Sequence, residues 1–254
     1  MVKNKKVIYT CIVGGYDTLT QPAVIDDSFD YICFVKKGQR HSEKQGVWRI
    51  EEIPYDCPSG KQLSAYTKLQ PHIVLSQYDY SLWIDGNISI NDAGIYEVID
   101  KKIEEGVLHS GVNHFVRDCA YDDAAAVAYI YPKVPILGLI RTVLFLKKEH
   151  FPTHYGLYET GVMFRKHNDP TIVKFDDLWW QLFCKYAKRD QLCHSYCLKK
   201  YGIDFDYLLP KEYCARNHPY FKYVKHKIKD KRPQGFVDIK RKINRRILKY
   251  LSLI

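Results

Sequence analysis

No stretch of this 254-residue sequence reaches the roughly 18 consecutive apolar residues that a membrane-spanning helix requires; the longest candidate, residues 134–146, is broken by Arg141. Behind Met1 the sequence MVKNKKVIYTCIVGGYD has lysines but lacks the extended apolar core of a secretory leader. The expectation is a cytoplasmic chain, peripheral at the inner face of the cell membrane if bound to it, with its eight cysteines as reduced thiols. A G-x-S-x-G elbow is absent, which removes one common route to a hydrolytic serine. Internal repeats, low-complexity segments and the tight C-x2-C spacing of a zinc knuckle are absent too. Cys193 with Cys197, and Cys214 with His218, stand four apart and could each supply half a zinc site; buried free thiols are the simpler reading.

Net charge is missing from most of the chain. Up to Phe221, 27 Lys/Arg offset 27 Asp/Glu; beyond it, 12 Lys/Arg face only Asp230 and Asp238, so the tail holds the whole excess of +10. A nucleic-acid protein carries its basic patch on the body as well, and no nucleic-acid partner is expected. The length suits one large α/β domain with a substantial core, divided here as a body over 1–221 and a basic tail over 222–254. Tyrosine is abundant at 21 residues; its flat faces suit sugars and bases, although ordinary packing accounts for most such rings.

Strand and helix patterns alternate. β-Branched and apolar runs over 6–13, 30–35, 48–53, 80–84, 107–109 and 161–164 predict strands. Helices are predicted over 64–75 with an end before Pro71, from Asn91 or Asp92 to Gly106, over 119–129, from Pro170, and from Asp190 to Gly202. This alternation indicates a mainly parallel sheet with ligands at the C-terminal strand ends.

The sharpest local feature is LWIDGNISI. An apolar strand delivers Asp85 to its end, Gly86 turns the chain, and Asn87 follows, so carboxylate and amide oxygen can address one site. Both are hard ligands suited to Mg²⁺ or Mn²⁺. Taken alone, Asp-Gly-Asn is also a good turn, and that reading is favoured. Lys68 can be read as an ordinary solvated lysine, and Asp190 most simply as a helix N-cap.

Seven stretches, in order, carry a resemblance: YTCIVGGYDTLTQP from Tyr9, DYICFVK from Asp30, KLQPH from Lys68, YDYSLWIDGNISI from Tyr78, NHFVRDCAYDDA from Asn113, ETGVMFRKHN from Glu159, and WWQLFCKYAKRDQLCHSYCLKK from Trp179. Together they cover roughly 7–202, and the sequence resembles the glycosyltransferase-like family of plant mucilage and cell-wall proteins and bacterial surface-polysaccharide clusters. A plant protein described as an alkaline ceramidase belongs to that family. The resemblance implies a GT-A-like α/β fold, a mixed, mainly parallel sheet flanked by helices, and a nucleotide-sugar donor. It implies Asp85 and Asn87 as the metal and diphosphate motif, with Mn²⁺ or Mg²⁺ as cofactor, departing from a strict D-x-D because Asn87 is neutral. Gly14, Gly15, Tyr16 and Asp17 would hold the nucleotide, and Lys68 would offset diphosphate charge. Arg117 with His114 would clamp sugar or phosphate, Glu159 would orient acceptor hydroxyls or act as base, and Asp190 with Gln191 would face the sugar. A last metal ligand is expected at His226 or His218, with preference for His226.

The sequence from Val237 onward reads VDIKRKINRRILKYLSLI. Ile239, Ile243, Ile247 and Leu251 make an i,i+4 stripe, with Leu248 and Ile254 beside it, among six Lys/Arg. This C-terminal basic amphipathic helix is of the type that lies on anionic membranes; packing on the body or a partner subunit, or contact with nucleic acid, are the alternatives. The expected partners are a nucleotide-sugar donor, a glycan or lipid-linked acceptor, and a membrane surface. The competing functions are a metal-dependent lipid amidase and a non-catalytic scaffold that binds nucleotide or glycan.

Overall fold

A computed structural model describes residues 4–130, 134–226 and 234–250. In chain order it contains β1 (Lys6–Cys11), β2 (Phe29–Val35), β3 (Lys44–Gln45), β4 (Trp48–Glu52), α1 (Gly60–Leu69), α2 (Pro71–Val74), β5 (Tyr80–Ile84) and β6 (Ile88–Ile90). There follow α3 (Gly94–Glu104), β7 (His109–Asn113), α4 (Ala120–Ile130), α5 (Ile136–Lys148), β8 (Tyr158–Arg165), α6 (Pro170–Lys185), α7 (Asp190–Tyr201), β9 (Phe221–Tyr223) and α8 (Gln234–Tyr250).

Local chemistry sets the boundaries. Ser59 caps α1 by accepting from the amide of Gln62, and the helix stops before Pro71, whose ring restricts the residue ahead of it. This helix starts four residues before the predicted one, because Gly60, Lys61 and Gln62 carry no apolar periodicity. Asp92 accepts from the amide of Gly94 at the head of α3. Asp169 caps α6 with Pro170 at its first position. β7 begins at His109, two residues later than expected, because the amide of Val107 still bonds back to Lys102.

Seven strands form one sheet in the order β3-β4-β2-β1-β5-β8-β7. β4, β2, β1 and β5 are parallel; β8 runs against both β5 and β7, and β3 against β4. Five strands therefore share one direction, giving the mixed, mainly parallel sheet expected. Alternation along the strands sends Val7, Tyr9, Trp83 and Met163 to one face, against Leu63 of α1 and Phe175 and Trp179 of α6. Ile8, Leu82, Ile84, Val162 and Phe164 pack on the other, against Ile95 and Ile99 of α3. Each fully buried side chain of this size contributes about 1.5–3 kcal/mol. Cys193 and Cys197 lie in the first cluster and Cys214 in the second, so the sheet separates the halves of the zinc site considered above.

Two features tie the framework to the upper edge of the sheet. Arg165, fully buried, pairs with Asp176 at 2.6 Å and donates to the Tyr9 hydroxyl and the Lys68 carbonyl, joining β8, α6, β1 and α1. A small second sheet pairs β6 with β9, so the chain just past the expected 221/222 boundary is attached immediately after Asp85-Gly86-Asn87. Among the described residues no helix is long and apolar enough to cross a membrane.

α8 lies on α4. Val237, Asn244 and Leu248 are buried, and the Asn244 amide donates to the Ala128 carbonyl. Phe236, Ile239 and Ile243 are at least half exposed. The stripe read from the sequence thus points away from the body at Ile239 and Ile243, whereas Leu248 beside it is the packing residue. Leu251 and Ile254 lie outside the described residues.

Candidate functional site

β1 and β5 are parallel neighbours, so the turns that leave them emerge side by side. Gly14 and Gly15 both adopt left-handed backbone (φ +68° and +65°), which side-chain-bearing residues resist, and the turn swings Tyr16 and Asp17 toward β5. A β-carbon on Gly86 would stand 3.3 Å from the Cys11 carbonyl and 3.4 Å from Asp17 Oδ2, so the two turns touch. Between them and the start of α1 opens a cavity of about 600 Å³. Its wall includes Gly14, Tyr16 and Asp17, then Trp83, Asp85 and Asn87, Lys61 and Lys68 from α1, Asp190 from α7, and His226.

Lys68 is buried at the centre. Its ammonium lies 2.5 Å from Asp190 Oδ2, 3.3 Å from Asp85 Oδ1 and 3.2 Å from the Thr160 hydroxyl. Burial alone would lower its pKa, but Asp190 and Asp85 raise it overall. Burial likewise works against the Asp190 carboxylate, yet Lys68, Arg189 and Thr160 hold it well below the ordinary range. Asp85 also accepts from the Trp83 indole at 2.8 Å and remains two-fifths exposed to the cavity.

Beside the β1 turn the His226 ring lies 4.7 Å from that of Tyr16, and its Nδ1 is 2.7 Å from Asp17 Oδ1. A carboxylate only accepts, so Nδ1 carries the proton, and in the neutral ring Nε2 keeps its lone pair, facing the Asn87 amide at 3.4 Å. This is the arrangement in which a carboxylate fixes the tautomer of a metal-binding imidazole. Asp85, Asn87 and His226 offer a carboxylate, an amide and an imidazole, a donor set that fits Mn²⁺ or Mg²⁺ completed by phosphate oxygens. His218 instead accepts from the Tyr220 amide and packs its ring against Tyr213 and Tyr220, away from the cavity wall. Among the described residues, the one group of three His, Cys or acidic side chains with ligand atoms within 4.8 Å of one another is Cys119, Asp122 and His154, which is no part of this wall.

Other expected residues stand beside the cavity without lining it. Gly15 belongs to the β1 turn but not the wall. Arg117 and Arg189 converge on the fully buried Asp123, and His114 Nε2 lies 3.2 Å from Arg117. Burial first, then Arg117, lowers the His114 pKa. Gln191 is hydrogen-bonded to Arg189 through its side-chain oxygen. Glu159 is largely buried, 3.6 Å from Arg216; burial raises its pKa, Arg216 opposes, and Asp85 raises it further. The sequence reading passed over Trp83, Thr160 and Lys61. Trp83 precedes Asp85 by two, the spacing that puts two strand residues on one face, and that signal was present. Nothing local marks Thr160, whose partner Asp190 lies 30 positions away.

The family profile described as "TOD1/MUCI70, glycosyltransferase-like domain" matches residues 1–226. No curated protein matches the sequence. Among solved structures, the chain is similar to mouse xyloside xylosyltransferase 1 in its apo form, at 8% identity and TM-score 0.44, covering 80% of this chain and 84% of that one. It is also similar to core-mannan synthase A from Aspergillus fumigatus in its Mn/GDP form, at 11% identity and TM-score 0.47, covering 78% and 70%. A third is the mannosyltransferase Ktr4p from S. cerevisiae, at 10% identity and TM-score 0.43, covering 77% and 66%.

Proposed function

The chain belongs to the TOD1/MUCI70 glycosyltransferase-like family, and from that premise we propose that it moves a hexosyl or pentosyl unit from a nucleotide-sugar donor to a glycan or lipid-linked acceptor in surface-polysaccharide synthesis. The observation that carries this reading is the convergence of Asp85, Asn87, Lys68 and Asp190 on one cavity at the C-terminal ends of parallel strands. Nothing in the family match or the cavity favours the lipid amidase.

In this reading the turn at Gly14, Gly15, Tyr16 and Asp17 holds the nucleotide, with Tyr16 offering a ring face. Asp85, Asn87 and His226 hold a Mn²⁺ or Mg²⁺ ion, which supplies positive charge to the diphosphate leaving group. Asp190, with Gln191 behind it, faces the transferred sugar. The bond from the anomeric carbon to the phosphate oxygen breaks, and its electron pair leaves with the nucleoside diphosphate. The acceptor hydroxyl oxygen bonds to that carbon and gives its proton to Glu159, whose raised pKa suits a proton acceptor. Arg117, backed by His114 and anchored on Asp123, orients the acceptor side.

The exposed Phe236, Ile239 and Ile243, set among Lys240, Lys242, Arg245 and Arg246, support an anionic membrane surface as the partner of α8. Such a surface would bring a lipid-linked acceptor to a cytoplasmic enzyme. Incubation of the purified protein with a panel of UDP- and GDP-sugars and Mn²⁺ tests the reading, with release of nucleoside diphosphate as the readout. Metal-stimulated release from one donor is expected; nucleotide binding without release from any donor would favour the scaffold.

A further inference from the structure

Positive groups around the cavity are mostly committed to protein partners. Lys68 is held by Asp190, Asp85 and Thr160. Arg117 and Arg189 are held by Asp123, and Lys188 donates to the Gln62 side chain. Lys61 differs. It sits on the cavity wall in the first turn of α1, and no acidic side chain among the described residues lies within ion-pair distance of it. The cavity walls dehydrate its ammonium in part, although the residue keeps an exposed surface, and with Arg189 and Lys188 nearby this pushes its pKa down against the pull of Asp190. Asp190 is itself paired with Lys68 at 2.5 Å, which leaves Lys61 without an ion-pair partner of its own, and the amino-terminal end of the α1 dipole adds positive potential there.

A cation in a concave site, with no protein counter-ion, draws an anion from the ligand. We infer that Lys61 binds an anionic oxygen of the donor, either a phosphate of its diphosphate or a carboxylate on the transferred sugar. This rests on the donor reading above and reassigns the lysine: Lys68 is the internal counter-ion of the two carboxylates, and Lys61 is the ligand's contact. Lys61 shares the cavity wall with Asp190 and feels its charge, which puts that oxygen toward the residue read above as facing the sugar.

The test is calorimetry on the wild type, Lys61→Gln and Lys61→Arg. The probes are pyrophosphate, UDP and GDP, and the UDP and GDP esters of a neutral hexose and of the matching uronic acid, all with Mn²⁺. Lys61 is exposed, so neither variant threatens folding. If Lys61 reads the diphosphate, Lys61→Gln weakens pyrophosphate, nucleotide and both sugar esters about tenfold or more. If it reads a sugar carboxylate, only the uronic acid ester weakens. Lys61→Arg restores most of the affinity in either case. Affinities of Lys61→Gln equal to wild type for every probe that the wild type binds would overturn this inference and leave the transferase reading intact. A wild type that binds no probe would remove both.

Discussion

Lys68 Nζ lies 2.5 Å from Asp190 Oδ2, joining the C-terminal half of α1 to the first residue of α7 across 122 positions. The contact decides between two readings of Asp190. Arg189, with extended backbone, occupies the N-cap position and makes no side-chain cap bond, while Asp190 is the first helical residue. Its carboxylate turns instead to Lys68 and Thr160. The helix-cap reading that Asp-Gln before an apolar run invites is thereby corrected, because the buried Lys68 ammonium takes the carboxylate in a charge-assisted bond.

Asp190→Asn should therefore do more than a cap exchange, which would be almost silent. Nucleotide affinity is expected to survive while turnover falls about a hundredfold or more. Lys68 keeps Asp85, so the stability cost should stay near about 1–3 kcal/mol. Turnover within twofold of wild type would show that Asp190 plays no part at the sugar.

Asp85→Ala should abolish the effect of Mn²⁺ on nucleotide binding, because it deletes the one carboxylate of the donor set. Calorimetry with and without the ion reads this directly. Asn87→Asp should tighten the metal dependence by adding a second charge. Nucleotide binding by the parent protein that ignores Mn²⁺ altogether would refute the metal-assisted scheme.

Much of this arrangement was legible before any coordinates. Strand alternation and Gly-Gly after an apolar run located the β1 turn, and LWIDGN located the β5 turn. Adjacency of the two depends on strand order, β1 beside β5, which alternation alone does not give and the family resemblance helped to suggest. What stayed hidden were choices made at long range. Lys68 looked solvated because its neighbours in sequence are ordinary helix residues; its burial comes from Trp83, Thr160 and Asp190, delivered by three other elements. Lys61 sat in a polar stretch with no periodicity, and so was not noticed as part of a helix at all. His226 was chosen over His218 for its basic surroundings, whereas what places its ring is Asp17, at the far end of the chain.

Asp176→Asn tests the buried tie beneath the cavity. It leaves the Arg165 guanidinium without its counter-ion in the core, where a broken pair costs about 3–5 kcal/mol. Urea unfolding should report a loss of that order, and a loss below about 1 kcal/mol would mean that the pair is not buried as described.

Two buried histidines set an acid limit. Burial holds His167 down to about 4 and His194 to about 3. A depressed folded value makes their contribution complete above the unfolded histidine pKa, about 6.5, and progressively lost as pH falls toward the folded values. Melting temperature should drop between about pH 6.5 and 4, and less steeply in His167→Gln. A profile flat down to pH 4 in the wild type would contradict the neutral, dry setting of these rings.

Ile239→Glu with Ile243→Glu addresses the tail. Both side chains are exposed, so stability should change by no more than about 0.5 kcal/mol. Sedimentation with vesicles rich in anionic lipid should fall to background, while soluble turnover is unchanged. Undiminished sedimentation would rule out this face as the membrane contact.

The bond between Asp17 and His226 spans 209 positions and joins two residues of the cavity wall. A ribosome makes the chain in one direction, at about 5–20 residues per second. Asp17 therefore waits while 209 further residues are made before its partner exists, and the seven-stranded sheet has every strand it needs before His226 leaves the exit tunnel. Of the residues that line the pocket, His226 is the last made: a nascent chain halted short of 226 would carry every strand of the seven-stranded sheet, with Asp17 lacking this partner.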